Sequence, residues 1–232
     1  MREIVLDTET TGLDPGKAKG EGHRLVEIGC VELYNLIPTG RTFHCYINPE
    51  RDMPAEAQAV HGLSIDFLSK HPIFEHHVDP FLDFIGDAQL VIHNASFDMK
   101  FINAELSWHG REVIPFARAF DTLKLARSLF PGAPASLDAL CKRYEIDLSG
   151  REKHGALLDA ELLAQVYLEL KGGRQPGLHF SSASGDKGSV EDLSWGRKET
   201  LPPRSFTAHD DERDKHKDLI NQLKEPIWSL KE

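Results

Sequence analysis

The 232-residue sequence has no apolar run approaching the length of a bilayer-spanning helix, which sets that class aside. Its amino terminus enters a strand-like segment directly, without the basic, apolar and small-residue succession of a secretory signal. Cysteine is scarce. Cys30, Cys45 and Cys141 are odd in number and lack metal-ligand spacing, so the sequence carries neither a disulfide framework nor a thiolate metal site. The expected setting is the cytoplasm, with these thiols reduced. Positive charge is also short: 27 Lys and Arg face 37 Asp and Glu, a formal net charge of −10. Broad electrostatic capture of DNA or RNA, normally the task of a basic surface, is therefore not expected. A narrow site in which metal ions supply the positive charge remains open. Such a site implies weak binding unless a partner delivers the substrate. No internal repeat is present.

What is present changes character after Lys171. Up to that point apolar periodicity is dense and connections are short. EIVLDTET, RLVEIGCVELYN and RTFHCYINP read as three strands, with a hairpin turn at Gly40 between the last two. Helices are expected at Ala55–Ala59 and Val78–Ile85, then a buried strand at Gln89–Ile92 and a helix capped by Ser96 that runs toward Trp108. A short strand near Arg118–Phe120 follows, with helices at Leu123–Leu129, Leu137–Tyr144 and Ala156–Leu170. Leading strands followed by alternating strands and helices predict an α/β domain with a mixed sheet. Beyond it, residues 174–207 are rich in Gly, Ser and charge and read as a flexible linker. Residues 208–232 read as a polar helix with a small apolar stripe at Leu219, Ile220 and Leu223, limited by Pro226. The expected organisation is thus a domain over 1–173, a linker and a terminal segment.

Four carboxylates and one histidine carry the chemistry. Asp7 and Glu9 lie two apart on a strand and point to one face, either as ligands or as a solvated pair at a strand end. Asp98 falls on the apolar stripe of its helix with Phe101, Ile102 and Glu105, as a structural cap or as a ligand aided by the helix dipole. Asp159 shares a stripe with Leu162, Leu163, Val166 and Leu170. His154 lies five residues earlier, about 140° away on an ideal helix, so the two share a site only if His154 stands on the preceding loop. Gly155 permits that break. Buried ionised groups need a partner or a metal, and converging acids repel one another. A divalent cation resolves both problems, and the histidine adds a group that titrates near neutrality.

DTETTG, HNASFD and HGALLDA, in this order, resemble the three exonuclease motifs of the DEDD superfamily in its histidine variant. VHGLS at 60–64 and SLDALCKRYEID at 136–147 are similar to the epsilon proofreading family of bacterial DNA polymerase III. The resemblance implies a ribonuclease H-like fold with a mixed five-stranded sheet flanked by helices and a flexible C-terminal tail. It implies that Asp7, Glu9, Asp98 and Asp159 hold two divalent ions, Mg²⁺ or Mn²⁺, about 3.5–4 Å apart, with Asp7 shared. His154 would be the general base in hydrolysis of the terminal phosphodiester, releasing nucleoside monophosphates in the 3′→5′ direction. Thr10, Thr11 and Leu13, with Asp7, Glu9 and Asp159, would seat the terminal nucleotide. Phe97 would stack near the frayed strand or pack beneath its helix. His61 would lie near the site or simply form a turn.

In the tail, Gln175, Leu178 and Phe180 resemble the short motif by which replication proteins bind the sliding clamp. The terminal segment, with Leu219, Leu223 and Trp228, resembles the polymerase-binding tail of the epsilon family; a disordered tail is the alternative. The implied partners are the single-stranded 3′ end of DNA, the alpha subunit, the beta clamp and a small theta-like subunit, with no membrane. A free-standing 3′→5′ exonuclease for RNA or short oligonucleotides would carry the same motifs but has no need of the tail. A nuclease-dead adaptor would not retain the acids and the histidine.

Overall fold

The computed structural model describes residues 1–149, 153–173 and 209–223. Three strands lead: β1 (Arg2–Thr10), β2 (Leu25–Tyr34) and β3 (Ile37–Tyr46). They are followed by α1 (Ala55–His61), α2 (Ile65–Leu68), α3 (Val78–Ile85), β4 (Gln89–Ile92), α4 (Ala95–Trp108), β5 (Ala119–Asp121), α5 (Thr122–Leu129), α6 (Leu137–Arg143) and α7 (Ala156–Leu170). A last helix, α8 (Asp210–Gln222), belongs to a separate unit.

The five strands form one sheet in the order β3-β2-β1-β4-β5. The β1–β2 and β2–β3 pairs are antiparallel, whereas β1–β4 and β4–β5 are parallel. This is the mixed sheet expected of leading hairpins followed by crossover helices. β1 is central, and Ile4, Val5 and Leu6 are wholly buried because both faces are covered. On one face Ile4, Leu6, Ile28 and Leu90 pack with Phe81 and Ile85 of α3 and with Met99, Phe101 and Ile102 of α4. On the other, Val5, Val31, Leu33 and Val91 meet Ala160, Leu163, Ala164 and Tyr167 of α7. Each large side chain so buried contributes about 1.5–3 kcal/mol. The outer side of α7 buries Leu162, Val166 and Leu170 against α5 and α6.

Two local expectations are corrected. The β2–β3 turn lies at Asn35 and Leu36, both left-handed (φ 52° and 68°), not at Gly40. The flanking residues Tyr34 and Ile37 are direct partners, as a two-residue primed turn requires. Gly40, at φ 85°, instead sits inside β3 where the register slips between Val31 and Leu33. The extra β3 residues there form an irregular bulge, and glycine supplies its positive φ. Helix α4 is capped by Asn94, not Ser96, and Ser96 lies within the first turn. Asn94 adopts the left-handed conformation (φ 66°, ψ 51°), which asparagine tolerates better than most residues.

The expected linker over 174–207 lies outside the described residues, as do Gln175, Leu178, Phe180, Pro226 and Trp228. Leu219 of α8 and Leu223, the residue after it ends, are 56% and 44% exposed. Among the described residues no helix is long and apolar enough to cross a membrane.

Candidate active site

β1 carries Asp7 and Glu9 beyond Val5, the last residue in its parallel pairing with β4. Both side chains emerge on the α7 face. There α7 approaches unusually closely, because its partner on β2 is Gly29. A Cβ at position 29 would lie 2.2–2.4 Å from backbone atoms of Ala156 and Leu157. The missing side chain lets the first turn of α7 rest on the sheet directly beside Asp7, the Cα partner of Gly29. Asp159 occupies that first turn and is 3% exposed.

Asp98 arrives from the parallel side. The chain leaves β4, turns at Asn94 and starts α4, so Asp98 also stands in a first turn and is 3% exposed. Asp121 secures that turn. Its Oδ1 accepts the Asn94 N–H (3.3 Å) while capping α5 through Leu123 N (3.0 Å) and Lys124 N (3.3 Å). Further along α4, Glu105 takes a bidentate pair from Arg24 at 2.6 and 2.9 Å, buried on both sides, which fixes the helix to the start of β2. Two helix amino termini thus face the same acids, and their dipoles favour negative charge there.

The acids share a cleft of 260 Å³ lined by Asp7, Glu9, Asp98, Asp159 and His154 together with Thr8, His93, Asn94, Phe97, Ser136 and Leu137. His154 lies on the loop before α7, as the helical phase requires, and its Nδ1 is 3.0 Å from Asp159 Oδ2. Ligand atoms of Glu9, His154 and Asp159 lie within 4.8 Å of one another. The loop is held by His154 N–H donating to the Val60 carbonyl at 3.3 Å. Thr8 Oγ1 donates to Asp98 Oδ1 at 2.7 Å.

Electrostatically the cleft is overloaded. Desolvation and the charges of Asp98, Glu9, Asp159 and Glu27 push the Asp7 carboxyl well above its ordinary range. Desolvation raises Asp98 to about 7, against the opposing pull of the Thr8 hydrogen bond. Carboxyls that protonate rather than share this space are short of positive charge. An all-oxygen set of this kind suits hard divalent cations.

The other expected contacts separate into two groups. Phe97 lines the cleft and also packs on Phe101, with ring centroids 5.1 Å apart. Leu13 is 82% exposed and borders a second pocket of 420 Å³ with Thr11, His23 and α1 residues. Thr10 and Thr11 turn their hydroxyls into the local fold: Thr10 Oγ1 donates to Gly12 O at 2.6 Å, and Thr11 Oγ1 accepts Arg24 N–H at 3.0 Å. His61 is buried, accepts Leu63 N–H on Nδ1 at 3.0 Å and has its basicity lowered, chiefly by desolvation. Sequence reasoning passed over Thr8, Gly29, His93, Ser136 and Asp121. Thr8 and His93 sit inside quoted motifs, and their alternation with the acids was the available signal. Gly29 and Asp121 gave none.

A mixed sheet that brings four acids and a loop histidine to the end of its central strand defines a nuclease of the exonuclease class. The protein-family model described as Exonuclease matches residues 4–167. The DNA polymerase III subunit epsilon of Rickettsia felis is 48% identical over 226 residues, covering 96% of this chain and 97% of its own. That of Rickettsia typhi is 58% identical over 178 residues, covering 75% and 76%. The solved structure of Exonuclease X in complex with 5′ overhanging duplex DNA superposes with a TM-score of 0.55 at 25% identity, covering 72% of this chain and 90% of that one. The chain belongs to the exonuclease family and, within it, to the epsilon subunits of DNA polymerase III. It is a 3′→5′ exonuclease.

Proposed function

We propose that this proofreading exonuclease works with two divalent ions, Mg²⁺ or Mn²⁺, held by Asp7, Glu9, Asp98 and Asp159, with Asp7 shared between them. The observation that carries this reading is the convergence of these four acids on one cleft, in which burial drives Asp7 and Asp98 toward protonation and the neighbouring acids add to the effect on Asp7. When bound, the ions supply a polarised water and neutralise charge at the departing 3′ oxygen. His154 takes the proton of that water, and its Nδ1 contact with Asp159 orients the ring for the task. The exposed position of His154 at the cleft mouth leaves it accessible to an incoming strand.

The substrate is the single-stranded 3′ end of DNA. Its terminal nucleotide is seated by the stretch from Thr10 to Leu13, with Phe97 as the stacking ring and His61 beneath. Mispaired ends are selected because they fray more readily and so reach the cleft more often. A chain of net charge −10 binds DNA weakly by itself. Tethering answers that weakness: residues 175–180 bind the beta clamp, and the segment 208–232 binds the polymerase alpha subunit through Leu219, Leu223 and Trp228. The exposure of Leu219 on α8 and of Leu223 just beyond it supports this role. A theta-like subunit would complete the assembly, which resides in the cytoplasm.

The test uses Mg²⁺ and a primer–template with a 3′ mispair. Wild type should release nucleoside monophosphates, while Asp7→Ala and His154→Ala should each lose about 10²-fold or more. A silent wild type, or two variants that match it, overturns the assignment. Deleting residues 175–180 should abolish clamp binding; retained binding overturns that part alone.

A further inference from the structure

A further buried carboxylate leaves the sheet beside Asp7 and Glu9. Glu27 of β2 is the direct antiparallel partner of Glu9, so the two side chains leave the sheet on the same side. Glu27 is 3% exposed, and its charge is among those acting on Asp7. Yet Glu27 does not line the acid cleft, whereas Glu9 does. Nor does it join the group in which Glu9, Asp159 and His154 gather their ligand atoms.

The reason lies on the edge strand. His44 of β3 sits opposite Gly29, two residues along from the Glu27–Tyr46 pair, and its Nε2 is 2.7 Å from Glu27 Oε1. The edge of the Tyr46 ring braces the imidazole, with centroids 4.8 Å apart and planes at 70°. Glu27 is therefore drawn outward along the sheet while Glu9 turns inward.

We infer that His44 is a positioning residue that withholds Glu27 from the metal centre. The inference rests on the reading of Glu9 as a ligand. Directly opposed strand residues have Cβ atoms about 4.5–5.5 Å apart, so a released Glu27 is within reach of an ion that Glu9 binds. A fifth anionic ligand would tighten ion binding and disturb the spacing on which two-ion hydrolysis depends. By capturing the surplus acid, His44 sets the number of carboxylates that the ions meet.

The test is a Mn²⁺ titration followed by electron paramagnetic resonance, run beside 3′-end hydrolysis at saturating Mn²⁺. His44→Ala should bind the first Mn²⁺ about tenfold more tightly and hydrolyse about tenfold more slowly, the usual size of an outer-sphere effect. Adding Glu27→Gln to His44→Ala should return both values toward wild type. His44→Gln, which keeps a donor for Glu27, should stay near wild type in both. A His44→Ala protein that matches wild type overturns the inference. So does a defect that Glu27→Gln fails to relieve, since a merely structural His44 would behave that way. A wild type that binds no Mn²⁺ overturns the ligand reading of Glu9, and this inference with it.

Discussion

Gly29 on β2 lies against the backbone of Ala156 so closely that no other residue fits between strand and helix. Gly29→Ala should therefore lift the start of α7 and shift Asp159 and His154 together. A displacement near 1 Å costs on the order of 10²-fold in rate. Hydrolysis by the variant should fall by about that factor and should not recover at high Mg²⁺. A variant with wild-type kcat would show that the close approach is incidental.

Thr8 of β1 touches the same site on the side of α4. Replacing it by the near-isosteric valine removes the 2.7 Å hydrogen bond to Asp98 with little change of shape. A hydrogen bond to a charged group is worth about 1.5–3 kcal/mol, and its loss raises the Asp98 carboxyl further. The Mg²⁺ concentration for half-maximal activity should rise about tenfold in Thr8→Val, with the fold intact by circular dichroism.

The raised carboxyls make metal-free stability depend on pH. Asp98 is pushed up to about 7 and Asp7 is raised in the same direction, so the folded protein binds more protons than the unfolded chain above pH 4. Their contribution is present in full at low pH and is lost as pH rises through the folded values. His61, His77 and His93, whose basicity is lowered by desolvation, act in the opposite sense near pH 6. The useful quantity is thus the difference from Asp98→Asn. In EDTA, the wild-type Tm should fall relative to that of Asp98→Asn between pH 5 and 8, and Mg²⁺ should close the gap. Parallel Tm curves in EDTA would refute the raised Asp98 carboxyl.

Asp121 has a role away from the cleft. Asp121→Ala removes the cap of α5 and the anchor of the Asn94 turn in one change. Loss of the cap alone costs about 1 kcal/mol of stability. The activity loss should exceed what that predicts, because Asp98 follows the freed turn. Guanidinium melts and kcat on the same preparation separate the two effects.

Much of this architecture is legible in the sequence. Continuous apolar runs locate β1 and β4, and the stripes through Asp98 and Asp159 turn both acids inward. The displaced features have physical causes. A left-handed Leu36 leaves no local mark, because its turn is held by the pairing of Tyr34 with Ile37 rather than by residue type. Gly40 carries the usual turn residue but serves a bulge. Ser96 carries a capping side chain, yet it falls inside the first turn, and the helix starts after the left-handed Asn94, whose N–H bonds Asp121. The same limit applies to the site. The acids stand out in the sequence, while Gly29, Thr8 and His44 acquire meaning only from what lies across the sheet.

The last acid of the cleft lies on the last helix of the exonuclease domain, one that also covers Val5, Val31, Leu33 and Val91. A chain emerging from the ribosome therefore displays Asp7, Glu9 and Asp98 long before it can cut. Until α7 docks, the sheet has one bare face and the cleft has one open wall. Docking of α7 is thus the one step that both completes the core and completes the acid cleft.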